Sequence, residues 1–120
     1  VLADLRESVR LAKEAGVSDE QIVIDPGIGF AKNREHNLEI MARLSELVAL
    51  GYPVLLGASR KRFIRETLQA EPDQVLGGTI ATSVAAVMQG VAIVRVHDVL
   101  ENVKAVRMAD AIRTAARREG

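Results

Sequence analysis

The apolar positions of this chain alternate between two rhythms. Leu2, Leu5, Val9 and Ala12 recur at helical spacing, and Gly16 offers a left-handed stop, so residues 2–15 are predicted as an amphipathic helix. Ile22-Val23-Ile24 is a short β-branched run that halts at Asp25-Pro26-Gly27, a strand followed by a turn. Helical period returns over residues 34–50 through Leu38, Met41, Leu44, Leu47 and Val48, and Gly51 ends it. Pro53 then opens a second strand, Val54-Leu55-Leu56, which stops at Gly57. A short helix near residues 62–69 follows, broken by Glu71-Pro72-Asp73. Residues 74–89 form a third long helix rich in Gly77, Gly78, Ala81, Ala85 and Ala86, small residues that allow close backbone approach. Gly90 ends that helix, and residues 91–96 read as a third strand. Asp98 and Glu101 match a capping box that opens a last helix through Val99, Val103, Val106 and Ile112.

The predicted order is therefore α-β-α-β-α-β-α, as in βαβ units around a parallel sheet. The strands are almost wholly apolar, as expected where helices or a barrel interior cover both faces. Three strands cannot close a barrel, and an eight-stranded one needs roughly 250 residues. Two expectations follow. Residues 1–120 are one partial domain, about the last three βα units of a (β/α)8 barrel, or they are a small three-layer α/β domain that stands alone with two parallel edges exposed.

Composition narrows the function classes. Sixteen basic residues balance sixteen acidic ones, which argues against a nucleic-acid or membrane-surface partner. No apolar run approaches the roughly 20 residues that span a bilayer, and the first residues carry charges where a signal peptide would be apolar. The absence of cysteine removes disulfides, zinc-thiolate sites and a thiol nucleophile, and it is compatible with a cytoplasmic setting. Met41, Met88 and Met108 read as core filler, and His36 as a surface residue.

Ligands of parallel sheets and barrels bind at the carboxyl ends of strands, and each predicted strand ends in polar residues. Arg95 and His97 alternate with Val96 and so share one face of the third strand, just before a helix. Guanidinium and imidazole there suit phosphate or pyrophosphate; the plainer reading is an ion pair of Arg95 with Asp98 beside a solvated histidine. Ser59-Arg60-Lys61-Arg62 is either a basic surface turn or a lysine and serine facing the same pocket, with Arg60 or Arg62 in packing or ion-pair roles. Asp25 is either a turn former or a carboxylate matched to the paired N–H donors of a heterocycle such as a 2-amino-4-oxo-pteridine. Gly27-Ile28-Gly29-Phe30 lacks the third glycine of the dinucleotide fingerprint, because Lys32 stands there, and fits a flexible loop with Phe30 as a stacking group.

In this order the strand ends resemble the dihydropteroate synthase family. Asp25-Pro26-Gly27-Ile28-Gly29-Phe30 with Lys32, Asn33 and Asn37 is similar to its sixth strand and loop. Gly57-Ala58-Ser59-Arg60-Lys61 resembles its seventh strand end, and Arg95-Val96-His97-Asp98 its eighth. The resemblance implies the joining of 7,8-dihydropterin-6-ylmethyl diphosphate to p-aminobenzoate, giving 7,8-dihydropteroate and pyrophosphate in folate biosynthesis. It implies that Asp25 would hydrogen-bond the pterin, that Lys61 would contact the pterin and line the aminobenzoate pocket with Ser59 and Phe30, and that Arg95 and His97 would hold the diphosphate. Gly57 belongs to the same substrate-binding set. Lys61, Arg95 and His97 would be the catalytic groups, acting by stabilising charge in an SN1-like departure of pyrophosphate.

The family's Mg²⁺ ligand is an asparagine of its first strand, outside this chain, so no metal ligand is expected here and the isolated chain is expected to be nearly inactive. The resemblance also implies a homodimer in the complete protein, using the later helices. Ala31 departs from the family pattern, where glycine is frequent, and should stiffen the loop. Two rivals stand beside this expectation. One is the pterin-binding domain of a methyltetrahydrofolate methyltransferase, which has no diphosphate to hold. The other is a non-catalytic stand-alone domain.

Overall fold

Glycine stops the helices where the sequence predicts. The structure, a computed structural model, describes residues 1–30 and 32–118, so the departure at Ala31 lies outside the described residues. Helix α1 (Leu2–Glu14) closes with Val17 N–H on Ala12 O and Gly16 N–H on Lys13 O, both at 3.0 Å, and Gly16 has φ +96°. Helix α5 (Leu76–Met88) closes the same way through Gly90 at φ +95°. Both are Schellman ends, and the positive φ is one that a Cβ would strain.

The helix predicted over residues 34–50 is two helices, α2 (Arg34–Ala42) and α3 (Leu44–Val48). Its break has a local cause. Gln89 at the end of α5 donates its amide N–H to Met41 O at 2.7 Å and accepts Ser45 N–H at 3.0 Å. Those two groups would otherwise bond each other across one helical turn, and the inserted side chain kinks the ladder. Helix α4 (Arg62–Leu68) follows the basic turn, and α6 (Val99–Arg118) is the last element of the described residues.

Three parallel strand segments lie in chain order. Ile24 bridges Val54, and β1 (Leu55–Leu56) pairs with β2 (Ile93–Val94) in the register Leu55 to Ile93. The third strand, read over residues 91–96, pairs regularly only from residue 93 onward. Ala92 and Ile93 both donate to Val54 O, at 3.1 and 3.2 Å, so the strand slips by one residue and Val91 turns inward, 7 % exposed.

One sheet face packs on the helices. Ile22, Ile24, Val54 and Leu56 are buried there with Met41, Leu44, Leu47, Phe63, Ile64 and Ala86. The other face is open, contrary to the expectation that both are covered: Val23 is 52 % exposed and Ile93 42 %. The molecule is accordingly a slab, 44 × 40 × 22 Å. Close packing of α5 depends on Gly78, where a Cβ would overlap Ile64 and lie 2.9 Å from Leu68 Cδ1. Met41 is core, but Met88 and Met108 are exposed, on helix faces that the described residues do not cover. Among the described residues no helix is long and apolar enough to cross a membrane.

Candidate functional site

The open face carries the polar strand ends. Register places Asp25, Leu55 and Ile93 side by side, then Gly57 beside Arg95, with Ser59 and His97 one step further. Absence of a side chain at Gly57 is what lets Arg95 lie across β1. A Cβ there would stand 2.5 Å from Arg95 Nη2 and 3.1 Å from its Cζ. Gly57, Ser59, Lys61, Arg95, Val96 and His97 line one cavity of about 300 Å³.

The predicted ion pair of Arg95 with Asp98 is not formed. Asp98 Oδ1 accepts from Arg60 Nη2 at 3.0 Å instead, and among the described residues neither carboxylate oxygen accepts a backbone N–H of the first turn of α6, as the capping box read with Glu101 requires. Geometry explains the choice. Arg95 leans over the open face at Gly57, whereas Arg60 occupies the left-handed region at φ 57° and aims at the start of α6. Its backbone N–H is held by Thr79 Oγ1 at 3.1 Å. Asn102, 1 % exposed, locks the same turn by donating to Asp98 O at 2.8 Å and accepting from Ser83 Oγ at 2.7 Å.

Ser59 is nearly buried, and its Oγ contacts His97 twice: the backbone N–H at 3.1 Å and Nδ1 at 2.8 Å. Lys61 reaches the first strand's loop. Its Nζ donates to Ile28 O at 2.5 Å and sits 4.9 Å from the Phe30 ring centroid. Burial is the first cause that pulls the Lys61 amine below the ordinary lysine range; repulsion by Arg95 and Lys32 adds to it, and Asp25 opposes.

The loop read as flexible is tied down by side chains. Lys32 Nζ donates to Gly27 O at 3.0 Å and Phe30 O at 3.1 Å, and buried Asn37 accepts Gly29 N–H at 3.0 Å. Asp25 serves the turn, accepting Gly27 N–H at 2.8 Å, and among the described residues its second oxygen accepts no hydrogen bond. A larger cavity of about 750 Å³ lies beyond Lys61 between Phe30, Asn33, Arg34, Asn37 and Arg62. Asp25 lines neither cavity, and Lys61 lines both. Arg60 and Arg62 have the ion-pair roles weighed for them, with Asp98 and Glu66.

Sequence reasoning missed Thr79, Ser83, Asn102 and Gln89. Thr79 and Ser83 stand one turn apart on a helix built, apart from them and Thr82, of small and apolar residues, and that spacing was the available signal. Among the described residues no group of three or more His, Cys, Asp or Glu is placed to hold a metal ion.

Known proteins extend the comparison. The chain is 50% identical over 113 residues to a dihydropteroate synthase of Clostridium beijerinckii, covering 93% of this chain and 42% of that protein. It is 48% identical to that of Bacillus subtilis, covering 39% of its length. A dihydropteroate synthase of Coxiella burnetii solved with pteroic acid superposes with a TM-score of 0.91 at 40% identity, over 94% of this chain and 43% of that one. One from Yersinia pestis, solved with a sulfonamide drug, gives a TM-score of 0.90 at 39% identity, over 94% and 41%. The chain thus spans about two-fifths of the length of these relatives, and its three parallel βα units are part of a TIM barrel. The pterin binding enzyme family matches residues 1–97, and the chain belongs to that family.

Proposed function

We propose that the chain contributes one side of the active site of a dihydropteroate synthase. The carrying observation is the cavity in which Arg95, lying flat over Gly57, meets His97 and Lys61 at the strand ends. Two cations and an imidazole around about 300 Å³ suit a diphosphate, and a methyl-transfer site has no such anion to hold. In the reaction the bond from the pterin methylene carbon to the diphosphate oxygen breaks, and its electron pair leaves with pyrophosphate. The amine nitrogen of p-aminobenzoate then bonds that carbon and loses a proton. Arg95 and His97 stabilise charge growing on the leaving oxygen, which needs no protein nucleophile.

Lys61, between the two cavities, faces the junction of the substrates, with Phe30 as the wall of the aminobenzoate side and Ser59 beside His97 at the smaller cavity. Asp25 holds the pterin through its unused oxygen. Mg²⁺, expected on a residue outside this chain, would neutralise diphosphate charge. A homodimer and a cytoplasmic setting belong to the same reading; the exposed apolar side chains Leu100, Met108 and Ile112 of α6 support the first. Calorimetric titration tests it: pyrophosphate should bind the chain, compete with the pterin diphosphate, and bind more weakly to Arg95→Ala. Binding indifferent to Arg95 would overturn the assignment.

A further inference from the structure

Ser59 is 7 % exposed, so its single hydroxyl hydrogen needs a partner. One oxygen lone pair is already used, because Oγ accepts the backbone N–H of His97 at 3.1 Å. The remaining contact is with His97 Nδ1 at 2.8 Å. If Nδ1 carried the proton, both lone pairs of Oγ would be accepting and the serine hydrogen would have no partner. If Nδ1 is bare, the serine donates to it and every group is satisfied. In the neutral ring the proton then sits on Nε2, which among the described residues has no partner and belongs to a side chain lining the cavity with Arg95 and Lys61.

We propose that Ser59 is a positioning residue that fixes His97 in its Nε2–H tautomer, so that a neutral imidazole presents a donor to an anionic oxygen in this cavity. Ser59 thus acts on the ligand through His97. A neutral third donor beside Arg95 and Lys61 adds a hydrogen bond without adding a third like charge. The ligand half of this inference rests on the function proposed above; the tautomer does not.

The chain has only two histidines, so both imidazoles are separable in a ¹⁵N-labelled sample, and exposed His36 on α2 is an internal reference. Long-range ¹H–¹⁵N spectra, recorded where both rings are neutral, should show His97 Nδ1 at the position of a bare ring nitrogen and Nε2 at that of a protonated one. Ser59→Ala should move His97 toward a tautomer mixture while the His36 signals stay. Ser59→Thr, which keeps the hydroxyl, should retain the native pattern. A native His97 that is already a mixture, or one unchanged in Ser59→Ala, overturns the inference.

Titration with inorganic pyrophosphate then separates the two claims. Ser59→Ala should weaken binding several-fold and Ser59→Thr should restore it; equal binding by native and Ser59→Ala chains overturns the positioning role. A native chain that binds no pyrophosphate overturns the proposed function and the ligand half with it, and the spectra alone then decide the tautomer.

Discussion

At the scale of single residues the site depends on where a side chain is absent. Gly57→Ala would put a methyl 2.5 Å from Arg95 Nη2, and the flexible guanidinium, not the backbone, would give way. Stability should change little, while pyrophosphate affinity should fall about tenfold, the worth of one displaced charge-assisted hydrogen bond. Paired urea melts and titrations check this; unchanged affinity would mean that Arg95 does not bind from its place over Gly57. Lys61 gives a prediction with a sign. Burial and the cations Arg95 and Lys32 lower its proton affinity, so in pH-dependent acylation it should react at lower pH than an ordinary lysine amine. Arg95→Ala removes one repulsion and should move Lys61 back upward. Between its lowered value and that of free lysine, the unfolded chain holds more protons than the folded one, so this group adds stability as pH rises through that window. Strand-end residues were legible in the sequence because polar tips on apolar strands stand out. The partner of Asp98 was not, since Arg60 and Arg95 are equal candidates until the left-handed turn at Arg60 is known.

At the scale of elements, helix and strand positions followed the apolar rhythm closely, and the misses share one cause. The break between α2 and α3 comes from Gln89, more than forty residues away in sequence, which no local pattern can reveal. The slip at Val91 arises from one shared carbonyl on the neighbouring strand. Exposure of Met88 and Met108 likewise depends on what covers a helix face, not on the residue type. The small residues of α5, read as permitting close approach, are separable by substitution. Nothing lies within 4 Å of a Cβ built on Gly77, whereas one on Gly78 would strike Ile64 and Leu68. Gly77→Ala should therefore stabilise the chain by up to about 1 kcal/mol through helix propensity. Gly78→Ala should destabilise it by about 1–3 kcal/mol, because overpacking outweighs the same gain. Urea unfolding of the pair checks both signs, and a stabilised Gly78→Ala would show that α4 does not seat against α5 as described.

At the scale of the whole molecule, the open sheet face connects fold to activity. Val23 and Ile93 expose apolar surface on the side that carries Asp25, Arg95 and His97, and the outer edges of the Ile24 and β2 segments have no strand partner among the described residues. An open parallel edge beside an apolar face is a pairing surface, and in a closed barrel further strands would cover both. The order α-β-α-β-α-β-α made parallel βα units legible in the sequence, and the family resemblance of the strand-end motifs chose the barrel over a stand-alone domain; the extent of the exposed face required the structure, because Val23, Leu55 and Ile93 look as apolar as the strand residues that are buried. If the proposed function holds, the groups on this face are one side of a site, and the chain by itself should turn over the pterin diphosphate and p-aminobenzoate slowly or not at all, even with Mg²⁺. Joining it to the N-terminal portion of the Bacillus subtilis relative should cover the face and produce turnover. In that joined protein Lys61→Ala and Arg95→Ala should each lower the rate about a hundredfold or more, as expected for groups that stabilise transition-state charge. Robust turnover by the chain alone would show that the covered face is not required, and near-native rates in both variants would remove Lys61 and Arg95 from the chemistry.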